Sequence, residues 1–260
     1  MKAKAILGLV LLLSFFTNKA AYAYDRTGHR IVAQIAEDNL TTNAKKQIQA
    51  ILGKNGLTAN ANWADDVRSD HKFDYSTKWH YFDTDGKCPI AKSDSLFYVG
   101  TKSGNNLLFA IDSLIKVLKN NKNDVIALKY LIHFIGDMHQ PLHLGHAADL
   151  GGNKIKVKWL KDSVNLHSVW DTYLINMEQL SFSEYAQYLL DSNRSSSLRI
   201  KSSNLLFSFK LCYTLSQKVY EYNYANLNAY SYKYTFAPEM NDLLLLGGFQ
   251  LSAILNEIYT

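Results

Sequence analysis

Asn123-Asp124-Val-Ile-Ala-Leu-Lys-Tyr-Leu-Ile-His133-Phe-Ile-Gly-Asp137-Met138 reads as one helix, with Pro141 soon after its end. Asp124 is a residue type that caps a helix start, and Pro141 cannot continue the turn. His133 and Asp137 are four residues apart, so they project from the same face. Working outward, Leu107, Ile111, Leu114, Ile115 and Leu118 form an apolar stripe at helical spacing over 107–118. Ile31, Ile35 and Ala36 do the same within 30–39, and Thr42 to Leu52 continues as a second helix ending near Gly53. Residues 205–224 and 240–259 are two further long helical patterns. Ile155 to Trp159 alternates after Gly151-Gly152 and reads as a short hairpin strand. Residues 70–104 read as a loop-rich excursion, and the serine-rich stretch 192–203 as an exposed loop. With no internal repeat and no Pro-rich linker, this is a single, mainly helical domain.

The N-terminus points to export. Lys2 and Lys4 precede an apolar run from Ile6 to Phe16, and Ala21-Tyr22-Ala23 fits a small-x-small cleavage site. That is the layout of a secretory signal peptide over residues 1–23, leaving a mature domain over 24–260. The run is short for a bilayer span, so no stable membrane association is expected and the mature chain should be secreted or periplasmic; an uncleaved anchor is the other reading. Loss of Lys2, Lys4 and Lys19, with no acid, takes the basic count from 28 to 25 against 23 acids, and the net charge from +5 to +2. A binder of nucleic acid working by side-chain charge alone would carry a larger basic excess. Cys88 and Cys212 are the only cysteines; in an exported chain they read either as one disulfide or as two free thiols.

The chemistry lies in histidine and aspartate. His133/Asp137 and His167/Asp171 share the same four-residue spacing, His143 follows Pro141, His80 follows Trp79, and Asp65 and His29 lie upstream. A lone histidine on an apolar helix is commonly a hydrogen-bonded core residue. A lone His-x-x-x-Asp is commonly a helix-surface pair. Two such pairs with three further histidines and another aspartate form a ligand set suited to catalytic zinc, since no cysteine takes part. Burying so many such groups without a cation would be costly.

His133-Phe-Ile-Gly-Asp137-Met-His-Gln-Pro-Leu-His143 closely resembles the core motif of the zinc-dependent, single-strand-specific secreted nucleases of fungi and plants. Gly28-His29, Trp63-Ala64-Asp65-Asp-Val-Arg68, Trp79-His80-Tyr81-Phe82-Asp83, Gly151-Gly152-Asn153, Asn165-Leu166-His167-Ser-Val-Trp170-Asp171 and Gly247-Gly248-Phe249 match further motifs in order. Residues 175–235 match in helical character alone. The resemblance implies an all-α fold of the zinc-dependent phospholipase C/nuclease type, with a short β-hairpin and long loops around a trinuclear zinc site. It implies three Zn2+: one on Asp65, His80, His133 and Asp137; one on His29, Asp137 and the amine and carbonyl of Tyr24; one on His143, His167 and Asp171. Where the family usually begins with Trp, this chain has Tyr24. His71, His139 and His146 match no ligand. Asp65 would also orient water, and Arg68 and Asn153 would contact the scissile phosphate. Tyr81 would stack a base and Asp83 would bond its edge. The activity implied is hydrolysis of single-stranded DNA and RNA to 5'-phosphorylated products, with 3'-nucleotides as further substrates, by a monomer. Two other readings remain: a zinc-dependent phospholipase C, which would carry Glu at Asp171 and a longer segment before the first His, and a non-catalytic metal-binding secreted protein.

Overall fold

The computed structural model describes residues 26–192 and 194–260. The expected leader, its cleavage site and Tyr24 lie outside the described residues. Helix Val125–Met138 occupies the middle: of its fourteen residues eleven are buried, so it has no solvent face beyond its first turn. Asp124 caps it, its carboxylate accepting from Ala127 N at 2.9 Å. Helix Leu107–Asn120 lies along one side, and the C-terminal helix Ala229–Ile258 packs on both of them. Helix Arg26–Asp38 packs along the C-terminal helix and on Phe182–Leu190.

Two close approaches set this arrangement. A Cβ on Gly248 would stand 2.5 Å from Ile35 Cβ and 3.1 Å from the Val32 carbonyl, so only glycine lets the two helices meet there. Gly247 sits against the ring of His139, a buried histidine whose Nδ1 bonds the Ile135 carbonyl at 2.7 Å. That accounts for His139 as a core group rather than a ligand.

The expected helices at 107–118, 123–138 and 42–52 form close to the lengths read from the sequence. The last one starts at Ala229 rather than Met240 and continues through Pro238. Proline usually ends a helix; here Tyr232 and Phe236 bury against Trp170, and that packing keeps the preceding turns helical. The stretch 70–104 is less irregular than expected. It holds a 3-10 run His71–His80 and an α-helix Ser93–Lys102. Residues 192–203 are not simply an exposed loop: Ser195–Lys201 is helical and anchors through buried Leu198, Ser195 and Ser202. The hairpin pairs Lys156–Trp159 with Asp162–Asn165, with Val157, Trp159 and Val164 turned inward.

Cys88 and Cys212 are separate thiols, so the disulfide alternative fails in this structure. Cys212 is sealed in the core on helix Leu205–Glu221, while Cys88 sits half-buried in a loop with its Sγ near the Pro89 carbonyl. No helix of the described residues is long and apolar enough to cross a membrane.

Candidate metal centre

Seven elements bring together the expected ligands that lie among the described residues. The central helix supplies His133 and Asp137, and the first helix faces it with His29. Asp65 comes from the short turn Trp63–Asp66, and His80 ends the 3-10 run that follows it. Pro141 starts a 3-10 turn that carries His143 back beside the helix it has just ended. His167 and Asp171 lie on helical segments 166–176, where the chain makes a π turn over Val169–Tyr173. Such turns recur at functional sites.

Asp137 is the hub. Its Oδ1 lies 3.3 Å from His29 Nε2 and 3.6 Å from His143 Nδ1. Its Oδ2 lies 3.1 Å from His80 Nδ1 and 3.4 Å from His133 Nε2. Asp65 Oδ1 lies 3.7 Å from His80 Nδ1 and 3.8 Å from His133 Nε2. The rings of His29 and His133 stack with centroids 3.8 Å apart. Beyond His143 stands a second group: His143 Nε2 is 3.9 Å from Asp171 Oδ1, and His167 Nε2 is 3.2 Å from Asp171 Oδ2. Among the described residues, three trios have ligand atoms within 4.8 Å of one another: His29/Asp65/His133, His80/His133/Asp137 and His143/His167/Asp171.

Backbone carbonyls orient three of the imidazoles. His133 Nδ1 bonds the Ala61 carbonyl at 2.8 Å, His167 Nδ1 bonds that of Gly151 at 2.6 Å, and His143 Nδ1 bonds that of His80. A neutral imidazole donating from Nδ1 presents the Nε2 lone pair, the arrangement of a metal-ligating histidine. Gly151 reaches its position with φ 61°, and a Cβ there would collide with the Leu142 carbonyl. Burial also keeps these rings neutral. It pushes His80, His133 and His143 below the ordinary imidazole range, and His167 down to about 4, because a charged ring would lose its hydration. The same burial pushes Asp137 well up in the absence of a cation. Asp65 Oδ1, Asp137 Oδ1, His80 Nε2, His133 Nε2 and His143 Nε2 are buried without a hydrogen-bond partner. Buried, neutral, lone-pair-bearing nitrogens beside carboxylates are costly to assemble unless a cation joins them. The donor set therefore fits divalent metal, and its N/O chemistry fits zinc.

One buried group that spacing passes over supports the second cluster. Gln140 is fully buried and donates from Nε2 to Asp171 Oδ1 at 2.6 Å, while its Oε1 accepts from Leu142 N. The backbone donor fixes which way the amide points, and the amide then holds Asp171 with Oδ2 towards His167. We predict that Gln140→Glu, which sets a carboxylate against a carboxylate, lowers metal affinity at the His143/His167/Asp171 group about 10–100-fold, the usual cost of losing such a partner. Metal content after graded chelation reads this directly. Unchanged retention would show that Asp171 is held by its other contacts.

The centre opens into a cleft of about 350 Å3 lined by Arg68, Tyr81, Asp83, His143, Asn153 and His167, among others. Arg68 Nη1 lies 3.5 Å from Asp65 Oδ1 with its side chain about a third exposed, so it can face both the ligand and an incoming anion. Asn153 donates to the Leu150 carbonyl at 2.8 Å, which fixes it at the rim. Tyr81 is 36% exposed. Asp83 is pushed up to about 6, first by burial and then by the nearby charge of Asp149. A carboxylate held at such a cost, in a cleft, is a functional-site candidate. Asp149 is itself held by Tyr220 Oη at 2.9 Å and by Gly152 N. His146 stacks on Tyr220, and His71 is exposed beside Asp74; neither joins the ligand cluster.

The family description S1/P1 Nuclease matches residues 24–260. Endonuclease 3 of Arabidopsis thaliana is 28% identical over 96% of this chain and 94% of its own length. Nuclease P1 of Penicillium citrinum is 34% identical over 56% of each protein, and Nuclease S1 of Aspergillus oryzae is 32% identical over 58% of this chain and 54% of its own length. The mainly helical architecture with one two-stranded hairpin is the fold that this family implies. The chain belongs to the S1/P1 nuclease family and is a hydrolytic nuclease.

Proposed function

We propose that this chain is an exported enzyme, with three zinc ions, that hydrolyses single-stranded DNA and RNA to 5'-phosphorylated products and also acts on 3'-nucleotides. The observation that carries the reading is the set of buried His/Asp trios among the described residues, whose His80, His143 and His167 line one cleft together with Arg68, Asn153, Tyr81 and Asp83. The proposed grouping is Asp65/His80/His133/Asp137, then His29/Asp137 with the Tyr24 terminus, then His143/His167/Asp171. Zinc bound there would supply Lewis-acid polarisation of a phosphate and water acidic enough to attack near neutral pH. The chain's own groups do the rest. Asp65 Oδ1, buried and without a hydrogen-bond partner, would accept a hydrogen bond from the attacking water. Arg68 and Asn153 hold phosphate oxygens from the rim. Tyr81 offers a ring face to a base, and Asp83 offers its carboxylate to that base's edge. A base stacked on Tyr81 must leave a duplex, which selects unpaired strands.

Rates on single-stranded and duplex DNA, single-stranded RNA, a 3'-nucleotide and phosphatidylcholine, with chelator and with zinc restored, test the reading, together with end-group analysis of the products. Duplex cut as fast as single strands, or activity on phosphatidylcholine alone, would refute it. Zinc counting on the authentic mature protein and on a form with one Gly before Tyr24 tests the terminal ligand separately, since the extension converts the amine to an amide.

Two substitutions probe the base pocket. Tyr81→Ala should weaken strand binding by about 1–3 kcal/mol, the usual worth of a base–aromatic stack. Asp83→Asn should change stability with a defined sign. Because the folded-state value is raised, Asp83 stabilises the fold at low pH, and that contribution is lost as pH rises from about 4 to about 6. The amide should therefore fold more stably at pH 7, by about 1–2 kcal/mol after discounting for partial exposure, and bind strands less well. Denaturation at pH 4 and pH 7 checks the sign; a less stable amide at pH 7 would show that Asp83 has a structural partner.

A further inference from the structure

Three consecutive residues at the rim of the cleft, Leu150, Gly151 and Gly152, take φ of 57°, 61° and 82°. Glycine enters that left-handed region freely. Leucine does not, so contacts around the turn must hold it there. Two groups that face the cleft depend on this turn. The Gly151 carbonyl accepts from His167 Nδ1 at 2.6 Å, and the Leu150 carbonyl accepts from Asn153 Nδ2 at 2.8 Å. A shift of the turn would therefore rotate His167 and withdraw Asn153 together.

One carboxylate oxygen holds the turn from within. Asp149 Oδ1 accepts from Gly152 N at 2.6 Å, and the Asp149 carbonyl accepts from Lys154 N at 3.0 Å. The same Oδ1 accepts from Tyr220 Oη at 2.9 Å. That hydroxyl in turn accepts from His146 N at 3.0 Å, and the Tyr220 ring stacks on the His146 ring with centroids 3.7 Å apart. A tyrosine hydroxyl has one proton to donate and lone pairs with which to accept. Here it joins the chain just before the turn to the carboxylate that holds the turn. The approach is close: a Cβ on Gly145 would stand 2.8 Å from Tyr220 Oη, from Gly151 Cα and from the Leu142 carbonyl.

Tyr220 comes from helix Leu205–Glu221, within the stretch 175–235 whose sequence matches the family in helical character alone. One turn earlier on the same face, Ser216 Oγ donates to the Leu144 carbonyl at 3.3 Å. This helix therefore grips the segment that carries His143. That segment is bonded to the base pocket as well: Phe82 N donates to the His143 carbonyl at 2.7 Å, and Thr84 N donates to that of Gly145 at 2.8 Å.

We propose that Tyr220 and Asp149 are positioning residues for the hydrolysis: the hydroxyl fixes the carboxylate, the carboxylate fixes the turn, and the turn aims His167 for metal and Asn153 for the phosphate. This rests on the roles proposed above for His167 and Asn153. It adds a contribution from a helix that carries no ligand.

The test compares the parent with Tyr220→Phe, Asp149→Ala and Asp149→Asn, each as mature zinc-loaded protein. Phenylalanine keeps the ring on His146 and deletes the hydroxyl alone. Asparagine keeps an oxygen for Gly152 N and Tyr220 Oη, and alanine keeps none. Under graded chelation, one equivalent of zinc should leave Tyr220→Phe and Asp149→Ala at about tenfold lower chelator concentration, the low end of the usual cost of losing such a support. The remaining zinc should be held as in the parent, and Asp149→Asn should hold all of its zinc as the parent does. Zinc retention is the rescue readout because the amide also removes a charge beside Asp83. The kcat on a single-stranded thymidine oligonucleotide should fall about tenfold in Tyr220→Phe. Parental zinc retention in Tyr220→Phe, an equal loss from every site, or an asparagine variant as weak as the alanine one overturns the proposal. If the parent holds no zinc on His143, His167 and Asp171, the metal reading falls by itself. Solvent exchange of the His167 Nδ1 proton, followed by NMR in the metal-free protein, then decides the link. Exchange about tenfold faster in Tyr220→Phe supports it, and an unchanged rate overturns it.

Discussion

Asp137→Ala should leave no more than about a thousandth of the parent's hydrolysis, with the loss in kcat. Among the described residues, Asp137 is the carboxylate whose two oxygens each face two imidazoles: His29 and His143 at Oδ1, His80 and His133 at Oδ2. In the proposed grouping it belongs to two metals, so its removal takes a ligand from each. Stability should respond in an informative way. Zinc stabilises the folded state by binding it, by about 4 kcal/mol per site at a thousandfold excess over the dissociation constant. The variant should lose most of the rise in melting temperature that added zinc produces. The metal-free proteins should differ far less. Burial disfavours the ionised Asp137 there, so alanine removes a penalty while leaving a small cavity. Near-parental turnover with full zinc content would sink the shared-carboxylate reading. A large destabilisation of the metal-free form alone would make Asp137 a structural residue.

Gly136→Ala should come next, although position 136 carries no ligand atom. A Cβ there would stand 2.5 Å from His29 Nδ1 and 3.0 Å from its Cε1. The ring has little room to retreat, since it stacks on His133 with centroids 3.8 Å apart and its side chain is 1% exposed. One methyl group therefore pushes His29 off Asp137, and zinc affinity and activity should fall about 10–100-fold, as when a support behind a ligand is removed. Alanine is the better helix former, by about 1 kcal/mol, so helix content should hold. The variant should retain the His143/His167/Asp171 metal, which separates it from Asp137→Ala. Full zinc content in Gly136→Ala would show that the first helix can shift to accommodate the methyl.

Much of this protein was legible in the chain. Asp124, the apolar run behind it and Pro141 delimit a helix by local physics, and the His133/Asp137 spacing puts two ligand types on one face whatever the tertiary fold. The order of motifs from Gly28 to Phe249 carried the family resemblance, which the match over residues 24–260 bears out. Other features depend on partners distant in sequence. The C-terminal helix runs through Pro238 because Tyr232 and Phe236 pack on Trp170, a contact no window around Pro238 contains. Residues 195–201 are helical because Leu198 finds a buried place, not because their serines favour a helix. Cys88 and Cys212 are separate thiols, one sealed in the core and the other half-buried in a loop, a choice that the sequence left open. The carbonyls of Ala61, His80 and Gly151 that aim His133, His143 and His167 are backbone atoms, which every residue has. Gln140 and Gly136 act through what they touch. The sequence by itself determined which elements form and which residue types are available for chemistry, because those depend on neighbours within a few turns. Only the tertiary structure decided which of them meet, since long-range packing selects those contacts.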